Sequence, residues 1–180
     1  SQEIGARYSG SLRLDLWLTG APIVDSVPVT AVPMQASINE SVELVGYDAR
    51  EIWPNVLTID LYWMIHESMT VDYTVFLHLL DGRGRRVAQG DAQPYDGRFP
   101  TTRWPVGTII KDTHQIRLDP CIPAGGYQLD VGLYDLKTMQ RLGPPESNTV
   151  HIPLHLERPP LPVTRGRILS LLPEALQLRH

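Results

Sequence analysis

The sequence lacks features that mark several classes of protein. Its 180 residues contain one cysteine, Cys121, which excludes an intrachain disulfide and a four-cysteine zinc site. We interpret Cys121 as a small, partly buried apolar residue. No window approaches the roughly 18 consecutive apolar residues that a membrane-spanning helix needs, so no span is predicted. Basic residues number 16 against 20 acidic ones, and their densest run, Arg83 to Arg86, falls in a predicted hairpin turn. Nucleic acid is therefore not an expected partner.

Sequence motifs of common catalytic sites are also missing. There is no glycine-rich phosphate loop after a strand, no Gly-x-Ser-x-Gly elbow and no His-Glu-x-x-His zinc motif. We therefore predict a protein that is not an enzyme and that needs no cofactor or metal. A glycoside hydrolase with paired carboxylates is the alternative, drawn from Asp91, Asp96, Asp112 and Asp130. No spacing in the sequence selects a pair from these four residues.

Short segments of alternating apolar and polar residues dominate the chain. Residues 56–65 predict a strong strand, in which Leu57, Ile59, Leu61, Trp63 and Ile65 share one face. Residues 70–80 are apolar on both faces, as in a central strand, and residues 11–18 alternate as in a half-buried strand. Further strands are predicted over residues 41–50, 86–89, 108–118, 126–134 and 150–156, with turn signals between them. Residues 20–37 hold three prolines, which favours a linker or an edge strand. This spacing predicts an all-β fold, a single antiparallel, immunoglobulin-like β-sandwich over residues 1–157.

The end of the chain has a different character. After the proline-rich segment that starts at residue 158, residues 168–178 carry leucines at helical spacing. We predict a linker and a short amphipathic helix over residues 158–180.

Two sets of residues carry a resemblance to known domains. The segment from Pro123 to Asp135 resembles a late strand of immunoglobulin-like and fibronectin-type sandwiches. In those domains a Pro/Gly turn precedes a tyrosine, here Tyr127, whose hydroxyl binds the backbone at a sheet corner. The longer succession comprises Val45-Gly-Tyr47, Leu61-Tyr-Trp63, Asp72 to Leu80, Gln89-Gly-Asp91, Phe99 to Trp104 and Gly132 to Asp135.

That succession, over residues 42–142, resembles a C-terminal β-sandwich domain of multi-pass bacterial membrane proteins of the mannosyltransferase-like, glycosyltransferase type. The resemblance implies an accessory domain outside the cytoplasm, tethered to the membrane in its parent protein. A glycan or a neighbouring membrane-protein domain is the partner that it implies. The resemblance carries no catalytic residue to this chain.

The irregular stretch over residues 91–107 is the best candidate for a binding loop. It joins acidic, guanidinium and aromatic side chains, which sugar recognition uses for hydroxyl hydrogen bonds and ring stacking. The candidate ligand-binding residues in it are Asp91, Tyr95, Arg98, Arg103 and Trp104. The alternative is structural, with Trp104 closing the sandwich edge while Asp91 and Arg98 fix the loop.

Asp112 and His114 complete the candidate site. They share strand parity with Ile110 and Ile116, so an inward face would bury them and require polar partners. We expect Arg98 or Arg103 to pair with Asp112. A metal held by Asp112, His114, Asp91 and His78 is the sharper hypothesis, but His78 is more typical of a satisfied core histidine, and no spaced ligand motif supports a metal.

Four functions remain open from the sequence. The first is a non-catalytic accessory domain that recognises glycan or protein. The second is a free-standing carbohydrate-binding module, which an exposed row of Trp17, Trp53 or Trp104 would favour. The third is a hydrolase, and the fourth is a purely structural spacer with every tryptophan buried.

Overall fold

A computed structural model describes residues 22–52 and 55–157. The predicted strand over residues 11–18, Trp17, Trp53 and the predicted helical tail lie outside the described residues. Within the described ranges the strands are β1 (Ile23–Val24), β2 (Val32–Ser37), β3 (Val42–Ile52), β4 (Val56–Ile65), β5 (Tyr73–Leu80), β6 (Arg86–Gln89), β7 (Ile109–Arg117), β8 (Gly125–Asp135) and β9 (Val150–Leu156). Two short 3₁₀ turns, Pro94–Gly97 and Thr101–Arg103, lie between β6 and β7.

The strands form two antiparallel sheets. The five-stranded sheet has the order β1-β7-β4-β3-β2, and the four-stranded sheet has the order β6-β5-β8-β9. Every neighbouring pair in both sheets runs antiparallel. The predicted all-β sandwich of antiparallel sheets is thus confirmed at the level of its layers.

The core lies between the two sheets and follows the period of two. On β4 the alternate residues from Leu57 to Ile65 face the core, as the sequence pattern predicts, and Thr58, Asp60 and Tyr62 on the opposite face are also buried. Val75, Leu77 and Leu79 of β5 meet them from the other sheet, within one hydrophobic cluster. Because both layers present an apolar inner face, burial of that face stabilises the sandwich.

Each sheet ends in strands that are short or irregular. β1 has 2 residues, and the register of β2 shifts between Pro33 and Ala36. β9 contains Pro153, and the pairing of β6 with β5 shifts between Leu79 and Leu80. Proline lacks an N–H and is confined to edge strands, which agrees with the edge predicted for residues 20–37.

The turn before β8 has the contact that the resemblance implies. The Tyr127 hydroxyl donates a hydrogen bond of 2.8 Å to the Pro123 carbonyl. In the preceding turn Ile122 is buried and Cys121 is exposed, so the interpretation of Cys121 as partly buried is wrong. Its backbone N–H donates to the Asp119 carboxylate at 2.7 Å, which orients the turn with Cys121 outward.

Candidate functional site

The loop between β6 and β7 begins where the two sheets approach each other. Ala92 pairs with Val75 of β5 through two backbone hydrogen bonds of 3.0 Å. A Cβ atom at Gly90 would lie 2.8 Å from the Ile116 side chain and 2.9 Å from the Gln115 carbonyl oxygen. Only glycine permits this approach, which brings the end of β6 against β7 and sets the loop at the edge of the sandwich.

The first 3₁₀ turn contains an unusual run of left-handed backbone. Tyr95 has φ 54° and ψ 39°, Asp96 has φ 54° and ψ 38°, and Gly97 follows with φ 76°. A left-handed conformation costs roughly 1–2 kcal/mol for a residue with a Cβ atom. Such strain persists only where surrounding contacts over-determine it, and it clusters at ligand sites.

Contacts on both sides hold this strained turn. The Tyr95 N–H donates to Asp112 Oδ1 at 3.3 Å, which ties the turn to β7. The Arg98 guanidinium lies 4.7 Å from the centre of the Tyr95 ring. Arg98 also donates to the Tyr95 carbonyl at 3.3 Å and to Asp96 Oδ2 at 3.4 Å. The turn is therefore fixed by a buried carboxylate on one side and a guanidinium on the other.

Asp112 and His114 lie on the inner face of β7, as their parity with Ile110 and Ile116 predicts. Asp112 is 1% exposed and His114 is 4% exposed. His114 Nε2 lies 2.6 Å from Asp112 Oδ2, since side chains at i and i+2 of a strand point to the same face. The expected pairing of Asp112 with Arg98 or Arg103 is wrong, because His114 and the Tyr95 N–H take both carboxylate oxygens.

A cleft of about 430 Å³ opens between the strained turn, the end of β6 and β7. Its volume lies toward the lower end of the roughly 300–1,000 Å³ found for small-molecule pockets. The lining offers carboxylate, amide, phenol, guanidinium and imidazole groups from Asp91, Asp96, Gln93, Tyr95, Arg98 and His114. Such a lining is suited to a small polar ligand with many hydrogen-bonding groups.

The structure brings together four of the predicted site residues. Asp91, Tyr95, Arg98 and His114 line the cleft, while Asp112 lies behind His114 and supports it. Gln93 and Gln115 also line the cleft and were not predicted, because nothing in their spacing distinguishes them from other surface glutamines.

Trp104 and Arg103 lie away from the cleft. Trp104 is 3% exposed and its ring lies 6.5 Å from that of Trp63 in the core. Its Nε1 donates to the Phe99 carbonyl at 3.0 Å, so the indole is satisfied inside the protein. The prediction of Trp104 as a ligand-stacking ring is wrong, and the structural alternative, in which it closes the sandwich edge, is correct. Arg103 is exposed on the second turn.

The four residues of the metal hypothesis form two separate pairs. His78 lies on the outer face of the four-stranded sheet, 3.5 Å from Asp91, and not among the core residues as expected. Burial lowers the pKa of His78, and the nearby Arg86 and Arg141 lower it further, while Asp91 acts in the opposite direction. Across the described residues, no group of three or more His, Cys, Asp or Glu side chains could hold a metal ion.

Comparison with known proteins yields one distant likeness. No family model matches the chain, and no curated protein matches it either. Among solved structures, the chain is similar to a β-glucuronidase from glycoside hydrolase family 2, with 13% identity and a TM-score of 0.43. The match covers 70% of this chain and 11% of that one, so the chain spans about a tenth of that protein's length. Identity and TM-score are too low for this likeness to bear on function.

In the ranges that the structure describes, no helix has the length and apolar character needed to cross a membrane.

Proposed function

We propose that this chain is a non-catalytic β-sandwich recognition domain that binds a sugar in the cleft beside β7. The observation that carries the proposal is a polar cleft of about 430 Å³ whose lining is held in place by the buried Asp112–His114 pair. A free-standing carbohydrate-binding module and an accessory domain would use the same cleft.

The chemistry of the lining favours a sugar over an apolar ligand. Asp91 and Asp96 offer carboxylate acceptors, Arg98 offers donors, and the Tyr95 ring offers an apolar surface. The strained turn is fixed by Arg98 and Asp112 before any ligand arrives, so little ordering cost falls on binding. A fixed, polar, concave surface is the arrangement that recognition of several hydroxyl groups requires.

The resemblance over residues 42–142 extends the proposal to the parent protein. We infer a domain outside the cytoplasm, tethered through a membrane protein of the glycosyltransferase type, where it recognises a glycan. Protease treatment of intact cells that make the parent protein tests this location. Digestion of the domain only after cell lysis would contradict it.

The first experiment is a glycan-array screen of the purified chain beside two variants. Asp91→Asn removes a carboxylate that lines the cleft, and we expect binding to fall at least about tenfold, as for a hydrogen bond to a charged group. Glu43→Gln is the matched control, because Glu43 pairs with the exposed His66 at 3.1 Å and does not line the cleft. Wild-type protein that binds no glycan, or equal binding by Asp91→Asn, would refute the sugar-binding role.

A glycoside hydrolase is the second candidate, and one observation favours it. The cleft holds two carboxylates, Asp91 and Asp96, beside an imidazole that a buried carboxylate orients. An assay with chromogenic aryl glycosides separates the two functions. We expect no turnover above that of buffer, whereas turnover that Asp91→Asn abolishes would replace the recognition domain with an enzyme.

A further inference from the structure

We infer that His114 accepts a hydrogen bond from a ligand hydroxyl through Nδ1, and that the cleft thereby selects an uncharged sugar with a free hydroxyl at that point. This inference rests on the proposed function and specifies a chemical group of the sugar, a hydroxyl, that the cleft recognises. It turns on which nitrogen of the buried His114 ring carries the proton.

The contact with Asp112 is the basis on which we assign the tautomer. We assign the hydrogen of this contact to His114 Nε2, which lies 2.6 Å from Asp112 Oδ2, because an ionised carboxylate only accepts hydrogen bonds. In a neutral imidazole the other nitrogen then carries a lone pair. In this assignment Nδ1 of His114 is an acceptor, and a donor on the ligand can pair with it.

The position of the ring indicates that a donor for Nδ1 would come from the cleft. His114 lines the cleft and Asp112 does not, so Nε2 faces the carboxylate behind the ring. Among the residues that the structure describes, Nδ1 has no hydrogen-bond partner. Nδ1 is also not one of the enclosed, unpartnered polar atoms of the described residues, so it keeps accessible surface that a donor in the cleft can reach.

The surrounding groups hold the acceptor still. Asp112 also receives the Tyr95 N–H at 3.3 Å, so the carboxylate that fixes the imidazole is itself fixed by the strained turn. An acceptor held by packing and by a second hydrogen bond favours a ligand whose donor matches its position, because a ligand that lacks the donor forgoes this hydrogen bond.

The charges of the cleft disfavour an anionic ligand. Of its described lining residues, Asp91 and Asp96 are acidic, and Arg98 already pairs with Asp96 at 3.4 Å. A carboxylate or phosphate would meet two like charges and the lone pair of His114. A neutral hydroxyl donates to Nδ1 without this repulsion.

Two substitutions at His114 separate the nitrogens. His114→Gln places an amide near the former Nε2, where it can still donate to Asp112, but leaves nothing at Nδ1. His114→Asn places an amide near the former Nδ1 and is too short to reach Asp112. Methyl glycosides of glucose, mannose and galactose, together with their monodeoxy derivatives, are the probes, and backbone NMR shifts report binding.

We expect the wild type to bind at least one parent glycoside and to lose at least tenfold in affinity for one of its deoxy derivatives. His114→Gln should bind the parent at least tenfold more weakly, and the same deoxygenation should then have no further effect. His114→Asn should retain part of the discrimination between parent and deoxy sugar.

The outcomes that overturn the inference are distinct from those that overturn the proposed function. If His114→Gln binds a parent glycoside as tightly as the wild type, the sugar cleft stands and the role of Nδ1 falls. If the wild type binds no methyl glycoside, both fall. If His114→Gln does not fold, the wild-type deoxy series decides, since equal affinity for every derivative refutes a hydroxyl contact at His114.

Discussion

At the scale of single residues, Asp60 is a buried charge outside the cleft with three bonded partners. It lies on β4, on the face of the five-stranded sheet away from the core, and is 1% exposed. Thr113 Oγ1 donates to it at 2.6 Å, and Lys111 Nζ and an Arg50 nitrogen each lie 3.0 Å away. Burial raises the pKa of Asp60, but the hydrogen bond from Thr113 and the charges of Lys111 and Arg50 outweigh burial, so the pKa is lowered.

Replacing Asp60 with Asn should lower the free energy of unfolding at pH 7 by about 1–3 kcal/mol, because the partners lose a charged acceptor. Since folding lowers the Asp60 pKa, its stabilisation is full above the unfolded value of about 3.9 and disappears as pH falls through the folded value. The difference in free energy of unfolding between the wild type and Asp60→Asn should therefore become smaller in acid. Urea unfolding at several pH values measures this difference.

Glu40→Gln is the control for that series, because Glu40 is an exposed carboxylate. This substitution should change the free energy of unfolding by no more than about 0.5 kcal/mol at every pH. If the free energies of unfolding of the wild type and Asp60→Asn differ by the same amount at pH 7 and in acid, the charge of Asp60 does not stabilise the fold.

At the scale of single elements, β8 depends on one glycine for its fit. Gly132 pairs with Phe76 of β5, and a Cβ atom there would lie 2.5 Å from the Asn148 carbonyl oxygen and 2.6 Å from the Phe76 ring. The Arg141 guanidinium covers the same ring at 4.4 Å. The strand thus leaves room for Phe76 and for the segment that leads into β9.

Gly132→Ala should lower the free energy of unfolding by about 1–3 kcal/mol through overpacking. Gly126→Ala is a matched control in the same strand, since a Cβ atom there meets nothing within 4 Å. That control should be neutral or slightly stabilising, because alanine restricts the unfolded chain. Thermal unfolding of the pair checks the prediction, and equal midpoints would contradict the close packing around Gly132.

The elements themselves were largely predictable where apolar residues alternate along the sequence. Alternation over residues 56–65 and 150–156 matches β4 and β9 to the residue, and the glycines after Asp81 mark the hairpin that joins β5 to β6. β1 could not be predicted, since two residues make no pattern. Its strand character comes from pairing with Ile109 and Ile110, which are distant in sequence.

The candidate site was predictable as a loop but not as a geometry. Prolines and glycines over residues 91–107 indicate an irregular segment, and parity places Asp112 and His114 on the inner face. The side to which Trp104 turns depends on the turn Thr101–Arg103, which no local pattern specifies. The left-handed backbone at Tyr95 and Asp96 follows from the tertiary contacts that hold it, which the sequence does not display.

At the scale of the whole molecule, the second half of the loop joins the two sheets. Thr101 is fully buried and its hydroxyl donates to the Val71 carbonyl at 2.7 Å while accepting the Tyr73 N–H at 2.9 Å. Trp104 then packs against Trp63 of β4. The loop is thereby anchored to the start of β5 in one sheet and to the core face of the other.

Trp104→Ala should lower the free energy of unfolding by about 3–5 kcal/mol, as for other large-to-small core substitutions. Trp104→Phe should cost less, because it keeps most of the buried volume. Far-UV circular dichroism during urea unfolding measures both variants. A decrease of less than about 1 kcal/mol in the free energy of unfolding of Trp104→Ala would contradict the place of Trp104 in the core. Any loss of sugar binding by this variant would report unfolding and not a lost contact with the sugar.

The irregular edges of both sheets bear on how copies of the chain behave together. Pro33 and Pro153 have no N–H to offer a neighbouring strand, and β1 is only 2 residues long. A bare strand edge recruits further strands from other molecules and begins fibres. The edges that the structure describes therefore give neighbouring copies few consecutive backbone groups with which to continue one another's sheets.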